Sequence, residues 1–248
     1  MAKGRGGAAR RSQRPRGHGA GAKPGAKGAG AGAKKNVAAR RVDAAPAAPS
    51  APAGPFRLGV VPGTAPGRWV DRWHERRPNA LELVPLAVAD QRAALDAGDV
   101  DAALVRLPID REGLHVIALY DEVTVVVVSA DSHLTAAEEL DAADLSGEVV
   151  IVPRDDVLAL PLPDWAVTPV FDAPQTTGDA IETVATGVGV VIVPMSLARL
   201  HHRRDTEYRP LRAAPASTIA LAWPADATTP DVDTFVGIVR GRTANSSR

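Results

Sequence analysis

The stretch TTGDAIETVATGVGVVIVP, residues 176–194, leaves few folds open to this chain, because it holds a helix start, a helix stop and a buried strand in one run. Thr176 or Thr177 supplies a cap, and Ile181, Val184, Ala185 and Val188 recur at the spacing of one buried helix face. Gly187 or Gly189 ends the helix. Val190 to Val193 is then an uninterrupted β-branched run, suited to a strand covered on both faces and closed by Pro194. A helix leading into such a strand is half of a βαβ unit. The segment reads either as one more core piece of an α/β domain or as a loop whose two hydroxyls and free amides face a cleft and hold a small anion.

The alternation recurs upstream. Residues 56–61 predict a strand, Pro62, Gly63 and Thr64 a turn, and a helix with Pro66 in its first turn places Trp69, Val70 and Trp73 on one face until Pro78 stops it. Residues 81–88 predict a second strand, 90–97 a helix ended by Gly98, and 102–107 a third strand, which completes βαβαβ and argues for a parallel, doubly wound sheet. Two strands follow without a helix, at 114–119 and 123–128. Beyond them the patterns predict a helix over 134–145, strands at 148–152 and 166–171, and a helix from Met195 to about His202. Strands near 208–211 and 217–223 and a closing helix over 232–239 complete the chain.

Charge divides the chain into two unlike parts. Residues 1–55 carry five lysines and seven arginines against Asp43 alone, a formal +11, and the other 17 basic residues, all arginine, face 28 acids, so the total of zero conceals two opposite charges. Residues 1–41 are rich in Gly, Ala, Lys and Arg without apolar periodicity; they cannot bury enough surface to offset chain entropy and are expected to be disordered. Residues 42–55 shift to Ala and Pro, the composition of an extended spacer. Lys3, Arg5, Arg10, Arg11, Arg14, Arg16, Lys23, Lys27, Lys34, Lys35, Arg40 and Arg41 make a cationic tail that can neutralise phosphates of DNA or RNA without sequence preference. The competing reading is a tail that shields the protein's own acidic part or keeps it soluble. The absence of cysteine excludes disulfides, thiolate zinc sites and a cysteine nucleophile. No run has the length of a secretory signal core or a membrane span, so a cytoplasmic protein with no membrane partner is expected.

Four pieces in order carry a family resemblance: FRLGVVPG at 56–63, LDAGDVDAALVRLP at 95–108, LYDEVTVVVVSADSHL at 119–134 and VATGVGVVIVP at 184–194. With these, residues 56 to about 242 resemble the effector-binding, or substrate-binding, domain of LysR-type transcriptional regulators. The resemblance implies a two-lobe type 2 periplasmic-binding-protein-like α/β fold with crossover strands. Lobe one would span 56–126 and 217–248, lobe two 127–216, and a small molecule would sit between them. By position, Gly63, Thr64, Arg106, Leu107, Pro108, Arg154, Asp155, Thr176 and Thr177 would line that cleft. The family also implies an organic, usually anionic, effector, a homodimer and no cofactor; the helix of Trp69 and Trp73 is one candidate dimer surface. Two departures stand out. Nothing in residues 1–55 can form the winged helix-turn-helix that the family places ahead of this domain, and the stretch from Arg154 to Phe171 is short and proline-rich where a full helix is expected.

Each site residue has a plainer reading beside the sharp one. Arg106 could grip a carboxylate through two parallel hydrogen bonds, or form an ion pair with a neighbouring acid. Thr64, at the expected helix start, could bind an anion or simply cap the helix, and Thr176 and Thr177 share that ambiguity. His201 and His202 are adjacent and diverge on a helix, which does not make a metal pair. No nucleophile elbow, phosphate loop or dinucleotide fingerprint appears, so an enzyme on the same fold is the weakest alternative. A nucleoid-type structural protein, whose tail acts while its domain only dimerises, is the stronger one.

Overall fold

The computed structural model describes residues 54–161 and 166–241, so the cationic tail and residues 42–53 of the spacer lie outside the described residues. Strand β1 (Phe56–Val60), helix α1 (Gly67–Arg76), strand β2 (Leu81–Pro85), helix α2 (Gln91–Asp96) and strand β3 (Ala102–Arg106) form the expected βαβαβ, with β1 parallel to both its neighbours. Strand β4 (Leu114–Glu122) and strand β5 (Thr124–Ser129) follow, then β6 (Val150–Ile151), α3 (Thr177–Ala185), β7 (Val190–Pro194), α4 (Met195–Leu200), β8 (Thr206–Pro210), β9 (Ser217–Pro224) and α5 (Pro230–Val239). They build two sheets, ordered β2-β1-β3-β9-β4 and β6-β7-β5-β8. Strand β9 runs antiparallel to β3 and β4, and β5 antiparallel to β7 and β8, so each sheet is mixed rather than wholly parallel.

The chain leaves the first sheet at Glu122 and enters the second at Thr124. The lobe boundary expected at 126–127 would cut β5, which instead belongs entirely to the second sheet. Side chains alternate along a strand, and β5 uses this on both faces. Val125 and Val127 pack with Ile181, Val184 and Leu197 of α3 and α4, whereas Val126 and Val128 pack with Leu134, Leu140 and Leu145. The first sheet is layered likewise: Phe56, Leu58, Leu104 and Leu221 meet α1 and α5 on one side, and Ala103, Val105 and Ala220 meet α2 on the other. Trp73 is fully buried there, stacked on Phe56 at 4.6 Å between ring centroids, and its indole N–H donates to the Asn79 carbonyl at 2.9 Å. It is therefore core, and not part of the dimer surface proposed for its helix.

Three local expectations change in the structure. No helix spans 134–145; short 3-10 turns occupy His133–Ala136 and Ala142–Leu145. The Leu134, Leu140 and Leu145 spacing would turn Leu140 away from a shared helix face. Extended backbone instead lets Leu140 bridge to Leu211 while Arg212 ties down Glu139 and Asp141. The strand expected over 166–171 shrinks to a single bridge between Val149 and Val167, with Val170 fully exposed. The buried face of α3 is Thr177, Ala180, Ile181 and Val184, because the helix ends at Ala185 and leaves Val188 in solvent. Gly189 adopts the left-handed φ of +70°, and a Cβ there would collide with the Val149 carbonyl, so only glycine fits directly ahead of β7 where it enters beside β6.

Ile181→Ala should lower unfolding free energy in urea by about 2–5 kcal/mol, whereas Val188→Ala should stay within about 0.5 kcal/mol. Equal losses would mean that the helix continues through Val188.

Candidate functional site

Both passages between the sheets run beside one arginine. Arg106 ends β3; Glu122 ends β4 at the outward passage, and Ser217 opens β9 at the return. The Arg106 guanidinium donates through Nη1 to the Glu122 carboxylate at 2.7 Å and to the Ser217 hydroxyl, and its Nη2 lies 3.4 Å from the Pro62 carbonyl. The two charged side chains are only 1% and 9% exposed, so they are removed from water as a neutral unit. Gln91, buried in α2, clamps the Arg106 backbone in both directions: its side-chain oxygen accepts from the amide at 2.9 Å and its nitrogen donates to the carbonyl at 2.8 Å. Arg106 Nε has no hydrogen-bond partner among the described residues.

The second sheet's layer reaches the same point through α4. The Ser196 hydroxyl donates to the Glu122 carboxylate at 3.0 Å, so one carboxylate receives a group from each lobe. Gly63 packs directly over Ser196 and Leu197 with a left-handed φ of +85°; any Cβ there would overlap the Ser196 side chain. Beside this contact lies an open groove of about 520 Å³, walled by residues 60–64 and 85–87 from the first lobe and Leu200 from the second. It sits over the carboxyl ends of the parallel strands β1 and β2, where open α/β sheets take their ligands. Every lining residue is uncharged, and Thr64 is the sole one with a polar side chain. Tyr120, near the outward passage, has its phenol pushed above the ordinary range by burial and by the Glu122 charge, against the opposing pull of Arg106.

The residues expected in the cleft divide into three groups. Gly63 and Thr64 line the groove, but Thr64 does not cap a helix: α1 begins at Gly67, and the Thr64 hydroxyl donates to the Val61 carbonyl at 2.7 Å. Arg106 lies behind the Pro62 turn in the ion pair that was its plainer reading, and Leu107 and Pro108 continue from it, with the Leu107 amide donating to the Thr218 carbonyl at 2.9 Å. On the second lobe Thr177 donates to Asp155 at 3.0 Å, while Arg154 is exposed and donates its amide to the Pro174 carbonyl. Thr176 closes a capping box with Asp179, each side chain accepting from the other's amide at 3.1 Å, so the Thr176 oxygen already occupies an amide of the loop expected to hold an anion. The residues not anticipated are Gln91, Glu122, Ser196, Leu200 and Ser217. One signal was present for Glu122, an acid directly ahead of the apolar run at 123–128, where a buried charge requires a partner. Among the described residues no cluster of His, Asp and Glu could hold a metal ion, and no helix is long and apolar enough to cross a membrane.

Comparison with known proteins gives a consistent result. A family model described as the LysR substrate binding domain matches residues 49–244. The Hca operon transcriptional activator HcaR of Escherichia coli is 28% identical over 183 residues, covering 68% of this chain and 60% of that protein. The HTH-type transcriptional regulator CatR of Pseudomonas putida is 35% identical over 136 residues, covering 52% of this chain and 46% of the relative. Among solved structures, the reduced OxyR regulatory domain of Pseudomonas aeruginosa superposes with a TM-score of 0.59 at 24% identity, covering 75% of this chain and 97% of that one. The BenM effector-binding domain with its effector benzoate gives 0.61 at 21% identity, covering 76% and 91%. These likenesses place the two-sheet fold among periplasmic-binding-protein-like effector domains.

Removing one partner of the buried pair should cost far more than removing both. Glu122→Ala is expected to lose about 3–5 kcal/mol in urea unfolding, and Ser196→Ala about 1 kcal/mol, while the double variant Arg106→Met with Glu122→Leu recovers most of the loss. A small effect of Glu122→Ala would show that the charges are solvated.

Proposed function

The chain belongs to the LysR substrate-binding-domain family, and on that premise we propose that it is the effector-binding part of a transcription regulator, taking a small molecule into the groove beside Gly63 and acting without catalysis. The observation that carries this reading is the groove's composition from two lobes: residues 60–64 and 85–87 on one side, Leu200 on the other. A molecule that fills it contacts both lobes, and so favours the closed arrangement in which Gly63 seats on Ser196 over any arrangement in which they part. An anionic metabolite is the form the family resemblance implies, and benzoate, named with the BenM domain, is a carboxylate of that kind. Such an anion would have to meet a cation, and Arg106 is already paired.

The chain spans 60% and 46% of the two curated relatives it matches, so the activity of a whole regulator is part of this proposal. It extends to a homodimer in the cytoplasm and to a nucleic-acid tether supplied by the twelve cations of residues 1–41. What supports the tether is charge alone, +11 over residues 1–55. The competing reading, a structural protein that uses only its tail, predicts that the groove is inert.

Two measurements test these parts separately. In a thermal-melt screen of small metabolites, a ligand that raises the melting temperature of the wild-type chain should lose its effect in Leu200→Glu. Leu200 is 56% exposed, so the unliganded variant should melt within a degree or two of wild type. In fluorescence anisotropy with a random-sequence duplex, the full chain should lose about a thousandfold or more in affinity between ~50 and ~200 mM salt. A variant with the twelve tail cations changed to glutamine should not bind; binding that persists in it would remove the tether.

A further inference from the structure

Resting on the effector-binding reading, we infer that the groove selects an uncharged ligand, and that Glu122 is the residue that makes it do so. The cation positioned to greet an anion from this groove is Arg106, which touches the Pro62 carbonyl at the groove's own wall. Its charge is cancelled within the protein. Glu122 holds it at 2.7 Å with the pair almost wholly buried, and the Ser217 hydroxyl takes the same nitrogen.

The groove itself supplies no replacement. None of its lining residues is charged, and the hydroxyl proton of Thr64 is committed to the Val61 carbonyl. A carboxylate entering here would shed water and meet Val60, Leu86 and Leu200, with only an already neutralised guanidinium behind the Pro62 turn. Desolvation without a net counter-charge opposes that, because Glu122 has already cancelled the Arg106 charge. Displacing Glu122 is no easier, because Ser196 and Arg106 hold the same carboxylate from opposite lobes and its release would leave a buried charge unpaired. An amide or alcohol of the same shape, which carries an N–H or O–H to donate, meets none of these costs. It can bury its apolar body against the groove and direct one polar group at the Thr64 hydroxyl oxygen or at a carbonyl of the turn.

The two members of the pair thus take separate roles. Arg106 is a positioning residue that anchors Glu122, and Glu122 sets the charge preference of the groove. Neutralising Glu122 should free the guanidinium charge to act on a ligand, while leaving a side-chain carbonyl to accept from Arg106 and Ser196.

The experiment is calorimetric titration of the full chain, and of Glu122→Gln, with isosteric pairs: benzoate against benzamide and phenylacetate against phenylacetamide. In the wild type the amides should bind more tightly than the acids by about tenfold or more, and in Glu122→Gln the acids should gain by about tenfold relative to the amides. Acids that bind the wild type more tightly than amides overturn the inference and leave the effector reading standing. An acid-to-amide ratio that Glu122→Gln does not change removes Glu122 from the role. Should that variant fail to fold, the wild-type ratio alone decides the charge class. Binding of no member of either pair at millimolar concentration counts against a small-molecule groove, and the inference falls with it.

Discussion

Two sheets share one chain that must cross between them twice, and both crossings pass the carboxyl end of β3. That constraint places Arg106, Glu122 and Ser217 at the same spot, because they are the terminal residues of β3, β4 and β9. Backbone so close to a junction has few neighbours of its own sheet to pair with, and buried polar groups there need side-chain partners. Gln91 satisfies the Arg106 backbone, Glu122 and Ser217 satisfy its guanidinium, and Ser196 joins the carboxylate from the second lobe. The groove beside Gly63 exists because this network holds the lobes in contact at one edge while the apolar strand ends stay open at the other.

The sheets on either side are stable for a different reason. Each is covered on both faces, so their central strands carry apolar residues in both registers: the four valines of β5, the Val190–Val193 run of β7, and Ala102 to Val105 of β3. A one-residue slip in such a strand exchanges one apolar face for another and costs less than it would in an amphipathic strand. Register is therefore set at the strand ends, by Gly189 fitting under the Val149 carbonyl and by the bulge in β4 between Ala118 and Tyr120. The polar network at the crossings adds to that specification, since the Arg106 and Glu122 charges can meet in one register only.

On the proposed effector-binding reading, a buried ion pair at the wall of the groove also changes what the groove can recognise. Net charge decides whether an anion is welcome, and here the sum over Arg106 and Glu122 is zero. On the proposed effector-binding reading, the charge preference of the groove depends on Glu122, which is not among its lining residues.

Although the two-lobe form was implied only by the family resemblance, local chemistry in the sequence was enough to determine most of the alternation of strands and helices, the parallel βαβαβ opening, the α/β class and the cationic tail. Those features follow from period-2 and helical spacing, from glycine and proline punctuation and from charge counts, all readable within a few residues of one another. The family resemblance pointed to Gly63 and Thr64, and both line the groove beside the sheet's carboxyl edge. What only the tertiary structure decided was the pairing of groups distant in the chain. Arg106 meets Glu122 and Ser217 across separations of 16 and 111 residues, and Trp73 turned inward to Phe56 and Phe235 rather than outward to a partner. Leu140 left its expected helix for a bridge with Leu211. In each case local propensity allowed more than one outcome, and the choice fell to burial: a charge with no water must find its opposite, and a large apolar side chain goes wherever the two sheets leave room for it.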